Sequence, residues 1–431
     1  MRADHAPIDR PVTFAILGAG NRGTVYADWI AAHPERGKVV AVAEPRDHHR
    51  TTLARRHGIP AERCFSSWQE LVAAGRVADA AIIATQDAEH VAPAVALAEL
   101  GYHLVVEKPM APDEQGCRTL VHAVEKAGVM VAVCHVMRYT PYTRLLKEIV
   151  DSGRIGTVVS VQHLEPVGYW HQAHSYVRGN WRREDESSPM LLAKSCHDID
   201  WLRYVVGAPI ERVSSFGSLL HFTRENEPEG AADRCLDCAV EPSCAYSAKK
   251  IYLGMIERGH TGWPVHVLTH DLTVEGVTRA LREGPYGRCV YRCDNDVVDH
   301  QVVALEFAGG VTATFTMTAF TEPGLHRRTQ IFGTKGSIDG DGVNIRVYDF
   351  LTDQTEEHVV PSLGADAGSG HGGGDAGVMD AFTRALQSGD PSHIKSGPLE
   401  SLETHLAVFA AERARHAGTV EKVGQPATAL A

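Results

Sequence analysis

From residue 12 the chain reads VTFAIL, then GAGNRG, then TVYADWIAAH. A short β-branched and apolar run leads straight into glycines and then into apolar residues at helical spacing. Gly18, Gly20 and Gly23 stand in G-x-G-x-x-G spacing at a strand-to-helix turn, the context that gives this pattern meaning. The first glycine permits the tight turn, the second lets backbone approach a pyrophosphate, and the third allows close helix packing. The helix N-terminus then offers free N–H groups to the anion. Asn21 and Arg22 complete the loop as cofactor-binding candidates. The next apolar run, KVVAVAE, ends at Glu44, roughly 20 residues past Gly23, where the dinucleotide fold places an acid on the adenosine ribose. A carboxylate there favours NAD, whereas Arg46 offers a phosphate partner and leaves NADP open. An ordinary loop acid is the plainer reading of Glu44.

The alternation continues through DAAIIAT, GYHLVV and VMVAVCH, each joined to a helical segment, so the first third reads as a doubly wound parallel sheet. Ligands in such sheets bind beyond the carboxyl ends of the strands. Thr85, Gln86 and His90, then Glu107 and Lys108, and then His135 fall at those ends.

Composition narrows the function classes. The 431 residues carry a net charge of −12, which argues against a general nucleic-acid-binding surface. No stretch has the apolar length of a membrane span, and the opening MRADHAPIDRP lacks the apolar core of a secretory signal. The expected location is cytoplasmic. Nine cysteines in this length are too few for a disulfide scaffold.

With GAGNRG, IIATQDAEH, GYHLVVEKP and CHDID in hand, the chain resembles the Gfo/Idh/MocA family of nicotinamide-dependent oxidoreductases. The resemblance implies an N-terminal Rossmann domain, residues 1–140. It implies a C-terminal α+β domain, residues 141–431, with an open, mainly antiparallel sheet whose exposed face builds a homodimer or homotetramer. It also implies a sugar, cyclitol or derivative as substrate. The lysine of EKP, Lys108, then contacts substrate and nicotinamide, and His197 matches the family histidine, a general base. The family's acid four residues before that histidine is absent: Ala193 stands there, followed by Lys194, a candidate substrate contact. Asp198 and Asp200 are expected to face away from His197 and to serve the helix N-terminus or an interface.

The stretch HLEPVGYWHQAHSYVRGNWRRE, residues 163–184, is dense in rings and planar polar groups, as a sugar site needs. Its substrate candidates are Tyr169, Trp170, His174 and Arg178, beside His163 and Glu165. His135, Arg138 and His371 join them from outside this stretch. Packing at a subunit interface is the alternative. Arg178 with Arg182 and Arg183 also suits an acidic sugar. HGGGD, residues 371–375, resembles a stretch in NAD-dependent glycosidases of the same family; a flexible linker is the alternative.

Residues 222–296 interrupt the second sheet with a cysteine-rich insertion. Cys235, Cys238 and Cys244 stand in C-x2-C-x5-C spacing, with Cys289 and Cys293 following. Three thiolates plus Cys289 or Cys293 suit a structural zinc site, stapling an insertion too short for its own core. An iron–sulfur cluster and free thiols are the alternatives. Beyond it, two Gly-containing hairpins should complete the sheet, and residues 400–417 should form a helix packed on the Rossmann domain. The expected activity is hydride transfer between NAD and a secondary hydroxyl. Redox-neutral glycoside cleavage and a non-catalytic NAD or sugar sensor are its rivals.

Overall fold

A computed structural model describes residues 6–361 and 371–426. Six strands form the first sheet: β1 Val12–Leu17, β2 Gly37–Ala43, β3 Cys64–Phe65, β4 Ala80–Ile83, β5 His103–Val106 and β6 Val131–Val133. They are all parallel, in the order β3-β2-β1-β4-β5-β6. Ala80–Ile83 and the end of β1 are buried on both faces, which is why these strands read as unbroken apolar runs. The strand order reverses beside β1, so a crevice opens at the carboxyl ends of β1 and β4.

Nine strands form the second sheet. β7 Val158–Pro166, β8 Ile210–Ser218, β9 His300–Phe307, β10 Thr312–Thr318 and β11 Arg328–Gly333 are followed by β12 Gly336–Gly340, β13 Asn344–Asp349, β14 Gln354–Val359 and β15 Val420–Lys422. The order is β14-β13-β12-β11-β7-β10-β9-β8-β15, and β7 with β10 is its parallel pair. The expected mainly antiparallel sheet is present. Its strands alternate: Val303, Leu305, Phe315 and Ile331 face the core, while Val159, Phe216, Val302 and Phe332 face outward and are exposed.

The helix Pro398–Ala417 makes its expected contact with the Rossmann domain and packs on the second unit as well. It packs on β8 and on the helix Cys196–Val206 as well as on the helix Glu114–Ala127 of the first sheet. His405 Nε2 accepts the Met110 N–H at 3.0 Å, and Arg203 pairs with Glu403 at 3.1 Å. Ala407, Ala410, Ala411 and Ala414 are buried along one face of this helix, where small side chains let it approach closely.

The insertion between β8 and β9 differs from expectation. It has a core of its own, in which Ala248, Ile251, Tyr252, Val265, Val277 and Leu281 are buried together.

Candidate active site

The glycine loop is built as its spacing requires. Gly18 has φ +85°, and a Cβ there would sit 2.5 Å from the Ala84 carbonyl oxygen. A Cβ on Gly23 would lie 1.9 Å from the Gly18 oxygen, so the helix can enter this close only with glycine. Gly20 meets nothing but the Arg46 guanidinium, at 3.5 Å, and presents bare backbone to the crevice. Glu44 reaches back into the loop: its Oε2 accepts the Ala19 N–H at 2.8 Å, and Arg46 donates to both of its oxygens. Burial works against this carboxylate, but the Arg46 bonds and the Ala19 N–H hold its pKa below the ordinary value. The open Gly20 backbone and the acid at the loop fit a dinucleotide.

Four cofactor candidates have structural partners. Arg22 donates to Glu107 at 2.7 Å and to both oxygens of Asp375, and Tyr26 also donates to Glu107. This buried network ties the helix after the glycine loop to the strand carrying Lys108 and to the HGGGD segment. Glu107 is buried, yet Arg22, Lys108 and Tyr26 keep its pKa lowered. His90 is buried with Nδ1 at 2.7 Å from the Pro109 carbonyl and Nε2 at 3.2 Å from that of Thr85. It braces the turn after β5, and its ring nitrogens face backbone in place of a ligand. Thr85 donates to the Glu89 carbonyl at 2.9 Å, whereas Gln86 is exposed at the crevice. Asn21 is half-buried on the first turn of its helix.

Lys108 leaves the end of β5 and crosses to the second unit, where its Nζ donates to the Ala193 carbonyl at 2.6 Å. It does not pair with Glu107. Facing it is a group of imidazoles. His197, on the helix Cys196–Val206, is buried with no partner at either ring nitrogen. Its ring lies 5.9 Å from that of His371 and 6.0 Å from that of His135. Burial, then Lys108, His371 and His135, push its pKa well below the ordinary histidine value, so the ring is neutral near pH 7. His371 has an orienting acid: its Nδ1 lies 3.1 Å from Asp375 Oδ1, four residues on. Gly372 and Gly373 both have positive φ, and a Cβ on Gly374 would meet the Val136 carbonyl oxygen at 2.3 Å. The glycines thus press this segment against the chain after β6. The glycine-containing run before it, residues 362–370, lies outside the described residues.

Lys194 comes from the turn before His197 and pairs with Glu165 at 3.0 Å. Arg327 joins Glu165, at 2.9 Å, to Asp198. His163 lies between Asp198, at 3.0 Å, and Thr329, at 2.7 Å, and stacks on Trp201. Asp198 therefore does not serve the helix terminus; it neutralises Arg327 under the site. Asp200 likewise holds Arg138 in a two-pronged pair, at 2.6 and 2.7 Å.

That pair corrects the reading of Arg138 as a substrate contact, since both of its forks are spent on buried partners. His135 is fully buried behind His197, with its pKa pushed down to about 3 by burial. His174 accepts from or donates to the Tyr252 hydroxyl at 2.9 Å and stacks on Tyr286, inside the insertion's core. Arg178 is bound to the Arg288 and Tyr246 carbonyls. Tyr169 packs edge-on to Tyr246, and Trp170 lies 5.1 Å from Trp263. These residues dock the insertion.

His171, Trp263, His270 and Arg327, which the sequence reading passed over, lie around the crevice. His171 is dominated by burial, then by Lys194, His174, His371 and Lys108, all of which push its pKa far down. Its ring lies 4.8 Å from Trp263 of the insertion. The insertion also reaches the nucleotide end, where His270 lies 4.0 Å from His48 and 4.9 Å from His49. His171 stood among the polar residues 163–184 with nothing to separate it from its neighbours. The i, i+4 spacing of His371 and Asp375 was a local signal; Arg327, 129 residues from Asp198, left none.

Residues 12–135 match the family model described as an oxidoreductase family with an NAD-binding Rossmann fold, and residues 147–373 match that family's C-terminal alpha/beta domain. The chain belongs to the Gfo/Idh/MocA oxidoreductase family. Among its relatives, YteT of Bacillus subtilis (strain 168) is 27% identical over 70% of this chain and 71% of its own length. The 2,7-anhydro-N-acetylneuraminate hydratase of Escherichia coli (strain K12) is 24% identical over 48% of this chain, which spans 53% of that relative. Levoglucosan dehydrogenase, solved with NADH and levoglucosan, superposes with a TM-score of 0.69 at 19% identity, covering 96% of this chain and all of its own. The likeness in fold thus covers 96% of this chain. Among the described residues, no helix is long and apolar enough to cross a membrane.

Proposed function

We propose that this protein is an NAD-dependent dehydrogenase acting on a secondary hydroxyl of a sugar, cyclitol or glycoside. The observation that carries this reading is the convergence of Lys108, His197 and the His371–Asp375 pair beside a glycine loop whose acid is Glu44. The two units divide the work, with cofactor binding in residues 1–140 and substrate binding in 141–431. NAD would lie on the Gly18–Gly23 loop with Glu44 at its ribose. Arg46 is already committed to Glu44, which supports NAD over NADP. Bound there, NAD supplies the hydride acceptor.

The chain's own groups do the rest. Lys108 donates to the substrate oxygen and stabilises the negative charge that develops as the proton leaves. His197, neutral and without a partner, takes that proton. Lys194, His171 and Trp263 line the substrate side, where ring faces and cations hold hydroxyls or a carboxylate. The missing acid at Ala193 favours a second reading of the base: His371, which alone of the two has a carboxylate fixing its ring.

The first experiment follows absorbance at 340 nm with NAD and a panel of sugars, cyclitols and glycosides. A rising NADH band with one class, abolished in Lys108→Ala, is the expected result. A flat trace accompanied by cleaved or hydrated product would replace this reading with a redox-neutral one, the net chemistry named for the hydratase relative. Neither signal across the panel, with NAD bound, would favour a sensor.

A further inference from the structure

The five cysteines of the insertion play no part in the reaction proposed above, yet four of them surround one small cavity. It is lined by Cys235, Cys238, Cys244 and Cys289 together with Arg178 and Glu241. An isolated antiparallel bridge between Arg234 and Arg288 puts Cys235 and Cys289, 54 positions apart in the chain, on the same face of that pair, diagonally across it. Cys293 stands apart: its thiol is directed at the Cys289 carbonyl, at 3.2 Å, and it does not line the cavity.

The decisive neighbour is Arg178, only 1% exposed. Its Nε donates to the Arg288 carbonyl at 2.8 Å, and its Nη2 donates to the Tyr246 carbonyl at 2.8 Å and lies 3.5 Å from Cys235 Sγ. Its Nη1 is buried with no partner. Among the described residues no carboxylate pairs with this guanidinium. Glu241, the acid at the cavity, is taken by Lys249 and Ser247. Carbonyls satisfy donors but do not neutralise a charge, and a buried unpaired cation is strongly unfavourable.

We propose that Cys235, Cys238, Cys244 and Cys289 hold an anionic metal–thiolate centre against Arg178. Four thiolates around a metal carry the net negative charge that the guanidinium lacks. The sulfur spacing bears on which metal. Zn–S bonds of about 2.3 Å put tetrahedral sulfurs about 3.8 Å apart. Among the described residues, no three cysteine sulfurs lie within 4.8 Å of one another. That is too wide for one tetrahedral zinc ion, whereas a sulfide-bridged iron cluster with four cysteine ligands needs a wider spacing, so iron is the metal we propose. The centre is structural: it ties together the insertion that carries Trp263 and His270 to the two ends of the active-site crevice.

The test is made on the full chain, purified without oxygen. Iron, zinc and acid-labile sulfide are measured per chain, with the visible absorption spectrum. Iron and sulfide in equal, stoichiometric amounts, with a broad visible band bleached by dithionite, are expected. One zinc per chain and no visible band would keep the thiolate centre and overturn the iron–sulfur form. No stoichiometric metal, with all four thiols open to a thiol reagent in the native protein, would overturn the proposal. Cys244→Ser should lose the metal and Cys293→Ser should keep it; the reverse pattern would overturn the ligand assignment. None of these readings depends on turnover, so they stand apart from the dehydrogenase reading.

Discussion

A lysine leaving a buried strand must find an acceptor, and Lys108 finds the Ala193 carbonyl across the crevice. That single neutral partner is easily exchanged for a substrate oxygen. Lys108→Ala should therefore lower kcat about 10²–10³-fold, the usual loss for one oxyanion donor, while a thermal melt shows the fold unchanged. Retained activity would remove Lys108 from the mechanism. His197→Asn and His371→Asn separate the two candidate bases. The true base should cost about 10²–10⁴-fold and erase the acidic limb of the pH–rate profile. Arg138 belongs to another class. Its buried pair with Asp200 predicts that Arg138→Ala destabilises the fold by about 3–5 kcal/mol, read by denaturant titration, because an unpaired Asp200 carboxylate is left behind.

At the level of elements, two close approaches set the site. The helix after β1 packs this close to the glycine loop only because Gly23 has no side chain: the Gly18 carbonyl oxygen fills the space a Cβ would take. Gly23→Ala pushes a methyl into the backbone of the loop itself, which cannot move aside without reshaping the cradle. The expected result is a loss of about 1–3 kcal/mol of stability together with weakened NAD binding by calorimetry. Gly374 plays the same part for the HGGGD segment, where the Val136 carbonyl lies in the way. Here Gly374→Ala should displace His371 and lower kcat with NAD affinity kept. The split between cofactor binding and turnover checks that the two glycines serve different ends of one site.

Across the whole molecule, buried neutral histidines set the response to acid. His135 and His174 are pushed down to about 3 and His405 to about 4, in each case chiefly by burial. Unfolded, each would titrate near 6.5. Below that value the unfolded chain binds protons that the folded chain does not, so stability is full above about pH 6.5 and falls as the pH drops towards 4. Each histidine contributes about 1.4 kcal/mol per pH unit through that window. Calorimetry should find Tm lower at pH 5 than at pH 7.5, with proton uptake on unfolding; a flat Tm would contradict the buried neutral state. The outer face of the nine-stranded sheet is the other molecular feature. Phe216 and Val302, directly paired across β8 and β9, are 71% and 40% exposed. We propose that a second copy of the chain covers this face. Light scattering should show a dimer or tetramer that Val302→Glu dissociates, and a monomeric wild-type chain would refute it.

Local pattern was enough for the first sheet and the glycine loop, and for where Glu44 and Lys108 fall at the ends of strands, because each is set by residues adjacent in sequence: apolar runs, turn glycines and a proline. The hairpins of the second sheet were legible for the same reason. Tertiary structure alone decided which polar groups serve the site and which serve the fold. Arg138, His174 and Arg178 have the side chains of a sugar site, but Asp200, Tyr252 and the insertion's carbonyls claim them. Those partners lie tens to hundreds of residues away, and a buried charge goes to whichever group burial places beside it.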